Sequence, residues 1–166
     1  MATANLTAAR LREVLSYDSE TGEFRWIRGR RGVGIGSLAG CVSGAWYVYI
    51  SVDCKKYLAH RLAWFYTHGV WPSNDIDHIN WIRTDNRLAN LRDVERHVNN
   101  ENRKRVRGAN KSSGLAGVSW HIHSRKWRAR ITQQGVEHRV GLFDTPEEAS
   151  AAYVAAKRRL HAGCTI

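Results

Sequence analysis

Cysteine is scarce in this chain: Cys41, Cys54 and Cys164 are odd in number, far apart and contain no CxxC pair. That argues against a disulfide scaffold or a zinc ribbon and favours a reducing compartment. No apolar run reaches 18 residues, and the N-terminus has no signal-like apolar stretch, so neither secretion nor a membrane span is expected. Acidic residues are also in deficit, 15 against 26 Lys and Arg, which leaves a net charge of +11. The deficit is concentrated: between residues 103 and 139 there are ten Lys or Arg and a single acid, Glu137. A polyanion, most economically nucleic acid, is the expected partner.

Hydrophobic content of 43% is enough to build a core, and 166 residues fit one or two small domains. Seven Trp are many for this length. A buried Trp needs a partner for its indole N–H, so several are expected to be half exposed.

The stretch with the densest chemistry is Asp77 to Asn102, DHINWIRTDNRLANLRDVERHVNNEN. Asp77 and His78 are followed by Asp85, Asn86 and Asn90, then by His97, Asn99, Asn100 and Asn102. Phosphodiester hydrolysis needs an activated water, a hard cation and stabilisation of the leaving oxygen. Neutral His is the natural base near pH 7, and carboxylate and amide oxygens suit magnesium. Adjacent strand residues point to opposite faces, so Asp77 and His78 could serve one centre only near a strand end or kink. The run from Asp93 onward reads as a helix with Val94 and Val98 at helical spacing, Asp93 and Glu95 in its first turn, and Asn99 and Asn102 on one face. Asn and Asp also favour turns and caps, so RTDNRLAN taken alone is equally read as local turn chemistry.

The order His78, eleven residues, Asn90, eight residues, Asn99, set in DHIN, DNR and NLR, resembles the HNH endonucleases of phages and mobile introns. The preceding HRLAW, Gly69 and Pro72 are similar to segments of the same family. The resemblance implies a ββα-metal motif, a two-stranded hairpin and a helix around one divalent cation, magnesium or alternatively manganese. It makes Asp77 and Asn99 the metal ligands, His78 the general base and Asn90 the residue that pins the hairpin loop through its backbone. The last letter of the motif is often His; here it is Asn. His60 and Asn102 are candidates for supporting roles. His60 stays open between touching the scissile region and orienting the hairpin by a hydrogen bond, and His68 reads as a partner of a helix C-terminus.

Elsewhere, residues 6 to 17 read as a short helix with Asn5 or Thr7 as cap, followed by a turn and a strand in DSETGEFRWI. The glycine-rich segment 29 to 44 fits neither GxxxxGK[ST] nor GxGxxG and reads as a flexible hairpin linker, with Arg28, Arg30 and Arg31 able to brush phosphates. Residues 45 to 60 read as a strand pair turning at Asp53 to Lys55, and HRLAWFYTHG as a helix stopping at Gly69. RKRVRGANKSSG reads as a basic linker, with Arg103, Lys104, Arg105, Arg107 and Lys111 against phosphates.

From Gly114 three strands are expected. Val118, Trp120 and Ile122 fall on one face of the first, and Trp127, Ala129 and Ile131 on one face of the second. Val136, His138, Val140 and Leu142 fall on one face of the third. Thr145, Pro146, Glu147 and Glu148 open a helix whose Ala149, Ala152, Tyr153 and Ala156 can lie close on the sheet. GV, KWRARI and GLFDTPEEA in this segment resemble the AP-two or ethylene-response-factor DNA-binding domain. The resemblance implies a DNA-docking sheet face carrying His121, Arg128, Arg130 and Arg139, with Ser119 and His121 standing where plant members have arginines.

The expected fold class is therefore α+β: an HNH nuclease domain over 1–102 with its ββα-metal core about 74–102, a basic linker over 103–113, and an AP-two/ERF-like domain over 114–166. The expected function is a metal-dependent endonuclease of double-stranded DNA, monomeric and without a small-molecule cofactor, in the cytoplasm of an infected or lysogenic bacterial host. The alternative is a DNA-binding transcriptional regulator whose HNH fold is catalytically silent. A third, RNA-directed reading rests on charge alone and would need stacking aromatics on the open sheet face.

Overall fold

The computed structural model describes residues 6–29, 32–101, 112–161 and 164. Arg30, Arg31, Asn102, Arg103, Lys104, Arg105, Arg107 and Lys111 lie outside them. The chain divides into two compact units, Met1–Val94 and Glu95–Ile166.

The first unit opens with helix α1 (Ala8–Val14), capped by Thr7, whose hydroxyl accepts the Arg10 N–H at 3.1 Å. The helix is shorter than its apolar pattern predicts, because Leu15, Ser16 and Tyr17 are extended. They form strand β1 (Leu15–Tyr17), paired antiparallel with β2 (Phe24–Trp26). Pairing with an aromatic strand outweighs one more turn of helix here, a tertiary override of local propensity.

The glycine-rich segment is also more than a linker. Ser37 accepts from Trp26 N–H and Ala39 donates to the Phe24 carbonyl, so the chain runs beside β2 before forming β3 (Cys41–Val42). Strands β3, β4 (Val48–Val52) and β5 (Lys55–Leu58) make one antiparallel sheet. Asp53 and Cys54, both at positive φ, form the expected tight turn between β4 and β5. Helix α2 (Ala59–His68) follows and ends at Gly69 in the left-handed conformation, with the His68 ring against Trp64. Leu11, Leu15, Ile50, Val52 and Leu62 form the fully buried centre of this unit. Strands β6 (Asp75–His78) and β7 (Leu91–Val94) then pair antiparallel as a separate two-stranded sheet.

The second unit begins with the short helix α3 (Arg96–Glu101). Asp93 and Val94 are therefore strand residues rather than helix starters. The Asp93 carboxylate instead accepts the backbone N–H groups of Ser73 and Asn74 at 3.1 and 3.0 Å, tying the approach to β6 onto β7. Strands β8 (Val118–His121), β9 (Lys126–Gln133) and β10 (Val136–Phe143) form an antiparallel sheet in the order β10-β9-β8, followed by helix α4 (Pro146–Leu160). Val118, Ala129 and Ala149 make its small core, with Trp127, Val140, Phe143 and Tyr153 packed around it.

Three expectations along this sheet differ, one of facing, one of strand length and one of burial. The pairing of β10 shifts between Arg139 and Gly141, a bulge that reverses the alternation, so Leu142 pairs with Arg128 on the open face while Phe143 pairs with Trp127 on the helix side. Ile122 lies past the end of β8, in the turn closed by Arg125, and is exposed. Trp120 shares the helix side with Trp127, with ring centroids 5.2 Å apart, but on edge strand β8 it remains 43% exposed.

Helix α4 starts with a full capping box: Thr145 Oγ1 accepts the Glu148 N–H at 3.2 Å, and Glu148 Oε2 accepts the Thr145 N–H at 3.3 Å. Because α4 supplies the only helix packed on this small core among the described residues, Thr145→Ala is expected to lower the unit's stability by about 1 kcal/mol. Faster hydrogen exchange along α4, with Thr145→Ser close to wild type, is the outcome expected; unchanged exchange in Thr145→Ala would refute it.

Candidate active site

The β6–β7 register sets Asp77 opposite Arg92 and His78 opposite Leu91. The two faces of β6 therefore carry different chemistry. On one, Arg92 Nε and Nη2 both donate to Asp77 Oδ2, at 3.0 and 2.7 Å, pairing the buried carboxyl group with a guanidinium. On the other, the His78 ring stands edge-on to His60 with centroids 5.0 Å apart and lies 6.2 Å from the Tyr47 ring. His78 is the last residue of β6, and the chain turns immediately: Trp81, at positive φ, donates its N–H to the His78 carbonyl at 3.0 Å.

Residues 79 to 90 form a loop made of side chains that bond backbone. Asn90, buried in a 3-10 turn, accepts the Asn80 N–H on Oδ1 at 3.0 Å and donates from Nδ2 to the Asp85 carbonyl at 2.8 Å. Its own carbonyl accepts the Ile79 N–H at 2.9 Å, extending the β6–β7 pairing by one step. Asp85 gathers the other side of the loop: its carboxylate accepts from Arg87 Nε and Nη2 at 2.8 and 2.6 Å and from Asn80 Nδ2 at 2.7 Å. The Arg87 fork, above all, holds the Asp85 carboxyl down to about 2.

His78 Nε2 lies 3.3 Å from Asn86 Oδ1. The Asn86 amide nitrogen donates to the Thr84 carbonyl at 3.4 Å, so the face turned to His78 is an oxygen that can only accept. This amide orientation assigns the proton of the neutral ring to Nε2 and the lone pair to Nδ1. Burial, at 4% exposure, pushes the imidazole below its ordinary 6.5, opposed by the Asn86 bond and by Asp77. His78 is thus a neutral acceptor at physiological pH, which is the state a general base needs.

His60, on the first turn of α2, is buried, packs its ring 5.3 Å from Tyr47, and is held near 3 by burial first and then by His78 and Arg61. Its Nδ1 is buried with no hydrogen-bond partner among the described residues. Its ring packs edge-on to that of His78, with centroids 5.0 Å apart. Arg83 stacks over the Tyr47 ring at 4.9 Å and donates to the Ala45 carbonyl, fixing that ring from outside.

In the second unit, Asn99 is half-buried on α3 and donates its N–H to the Glu95 carbonyl. The open sheet face carries the residues expected there. Arg139 is exposed, Arg130 is bound by Glu137 at 2.9 Å, and Arg128 reaches Ser119 at 3.5 Å, its Nε having no hydrogen-bond partner among the described residues. His121 Nδ1 meets Ser124 Oγ at 2.7 Å.

A carboxyl group, a buried imidazole held below its ordinary value and a loop of amide groups are the kinds of group a hydrolytic centre uses. Residues 57–101 match the model of a family described as HNH endonuclease, a span that includes Asp77, His78, Asn90 and Asn99. The match supports an HNH nuclease in this part of the chain, and with it nuclease activity on DNA. No curated protein and no solved structure matches the chain. Among the described residues no group of three or more His, Cys, Asp or Glu could hold a metal ion, and no helix is long and apolar enough to cross a membrane.

Three partners carry no assigned role in the motif: Arg92 on Asp77, Asn86 on His78, and Tyr47 beside both histidines. Asn86 stands in the DNR triplet, but only the folded loop shows which atom it addresses.

His60 yields a pH prediction. Its value in the fold, about 3, lies below its ordinary 6.5, so between these pH values the unfolded chain binds the extra proton. Stability is full above about 6.5 and falls as pH drops toward 3. Urea titrations should show a smaller loss on acidification for His60→Phe than for wild type; equal losses would contradict the burial argument.

Proposed function

We propose that the chain is a divalent-metal-dependent DNA endonuclease of the phage HNH type, held on double-stranded DNA by its second unit. It acts as a monomer in the cytoplasm of an infected or lysogenic bacterial host. The observation that carries this reading is His78: a buried imidazole held below its ordinary value at the end of β6, with Nε2 against Asn86 Oδ1 and Asp77 beside it in sequence, within the segment that matches HNH endonucleases.

The donor chemistry fits magnesium. Asp77 and Asn99, the ligands that the motif resemblance implies, offer one carboxylate and one amide oxygen, donor types that magnesium accepts when water and phosphate complete its shell. Such a cation supplies charge neutralisation at the phosphate and the leaving oxygen. The chain's own residues do the rest. His78 Nδ1 takes a proton from the attacking water as the water oxygen bonds to phosphorus and a sugar oxygen departs. Asn90 keeps the loop closed around that histidine, and Arg92 holds Asp77 in place by two hydrogen bonds to one oxygen.

The open face of the second unit supports the positioning role. His121, Arg128, Arg130 and Arg139 stand on the side of the sheet away from α4, and a sheet of this width can enter a major groove. With Glu137 already on Arg130, Arg139 and Arg128 are the better candidates for phosphate or guanine contact. The resemblance to AP-two/ERF domains supports the same surface.

One observation favours the alternative of a regulator with a silent HNH fold: Arg92 already engages an oxygen of Asp77. A supercoiled-plasmid assay with magnesium separates the two. The endonuclease reading predicts nicked or linear DNA, a loss of about 100- to 10,000-fold in His78→Ala with DNA binding retained, and loss of both metal binding and cleavage in Asp77→Ala. Intact plasmid with wild-type protein that still shifts DNA on a gel would establish the silent reading instead.

A further inference from the structure

The catalytic-loop residue nearest His78 is held by a part of the chain that the family match does not include. Tyr17, at the end of β1, donates its hydroxyl to the Asn86 carbonyl at 2.7 Å, and burial pushes the phenol up to about 12, so it remains a donor. Two residues on, Ser19 accepts the Leu88 N–H on its carbonyl at 3.1 Å. Between these bonds Gly22, at φ +74, lies so close that a Cβ there would be 2.5 Å from Arg87 N and 2.6 Å from Asn86 C. The turn carrying these residues is itself fixed. Asp18 Oδ1 accepts the N–H groups of Glu20 and Thr21, and the Asp18 carbonyl accepts that of Gly22.

We propose that the β1–β2 hairpin is a clamp that makes Asn86 a positioning residue for His78. Tyr17, Ser19 and Gly22 fix the backbone of 86–88, and the Asn86 side chain thereby holds the imidazole with its proton on Nε2 and its lone pair on Nδ1. The proposal rests on the reading of His78 as the base. Its logic is that of any hydrogen-bond partner orienting a working histidine: it touches neither water nor phosphate, yet it decides which nitrogen can accept a proton. The hairpin lies some 30 residues before the matched segment by the numbering, at residues 15–26 against 57–101, so its role is visible only in the fold.

The test uses the full chain with 15N-labelled histidine. In wild type, at a pH where the ring is neutral, the His78 side chain should show the Nε2–H tautomer alone. Asn86→Leu, which removes the acceptor, should give a mixture of tautomers. It should lower kcat for plasmid cleavage by about 10- to 100-fold with KM unchanged. Asn86→Asp, which keeps an oxygen acceptor, should restore the single tautomer. Tyr17→Phe keeps the ring that packs 4.7 Å from Phe24 and loses only the hydroxyl, so it should fold as wild type while showing part of the same tautomer shift and loss of kcat. A single Nε2–H tautomer and unchanged kcat in Tyr17→Phe and in folded Asn86→Leu would overturn the clamp. If wild-type protein leaves the plasmid intact, the nuclease reading has failed on its own, and the tautomer spectra still decide whether the clamp sets His78.

Discussion

Two hydrogen bonds from one side chain, Asn90, hold the shape on which the rest of the site depends. The β6–β7 connection is long for a hairpin, and closing it costs chain entropy that its apolar contacts cannot offset, since Ile82 and Ile79 point outward. Asn90 bridges the loop by taking the Asn80 N–H and giving to the Asp85 carbonyl, and it is itself buried, so loss of either bond would strand a polar group away from water. With that bridge in place Asp85 can collect Arg87 and Asn80, and Asn86 is turned inward to His78. The arrangement has one sense: each amide has its donor and acceptor ends assigned by its neighbours.

Charge is distributed to the same end. Asp77 and Asp85 are each paired with an arginine, Arg92 and Arg87; both carboxylates pull the His78 imidazole up, and burial outweighs them. The second unit is built on a different economy. Its core is small, held by Val118, Ala129 and Ala149 beneath α4, and its open face is given over to arginine, histidine and one compensating acid.

Much of the fold was readable because local signals agreed with it. The Asp53–Cys54 turn, the stop of α2 at Gly69, the Thr145 cap and the alternation along β9 each depend on residues a few positions apart. The failures share a cause in long-range pairing. Leu15 to Tyr17 leave the helical pattern because β2 is waiting for them, and Asp93 serves Ser73 and Asn74 rather than a helix start. The bulge after Arg139 reverses the facing of Leu142 with no glycine or proline at the slipped residue, Val140, to announce it. In the site, spacing pointed to Asp77, His78, Asn90 and Asn99. Arg92 could be placed on Asp77 only once the register was known, and the Tyr17–Asn86 bond spans 69 positions that no motif covers.

On the proposed reading, chemistry happens at the end of β6, at His78 and the adjoining Asp77. A titration of the full chain with manganese, followed through paramagnetic broadening of assigned side-chain resonances, addresses that directly. Asp77 and His78 should broaden first and at substoichiometric metal, and Asp77→Ala should abolish the effect; broadening that spares both residues, or that survives in Asp77→Ala, would contradict the reading.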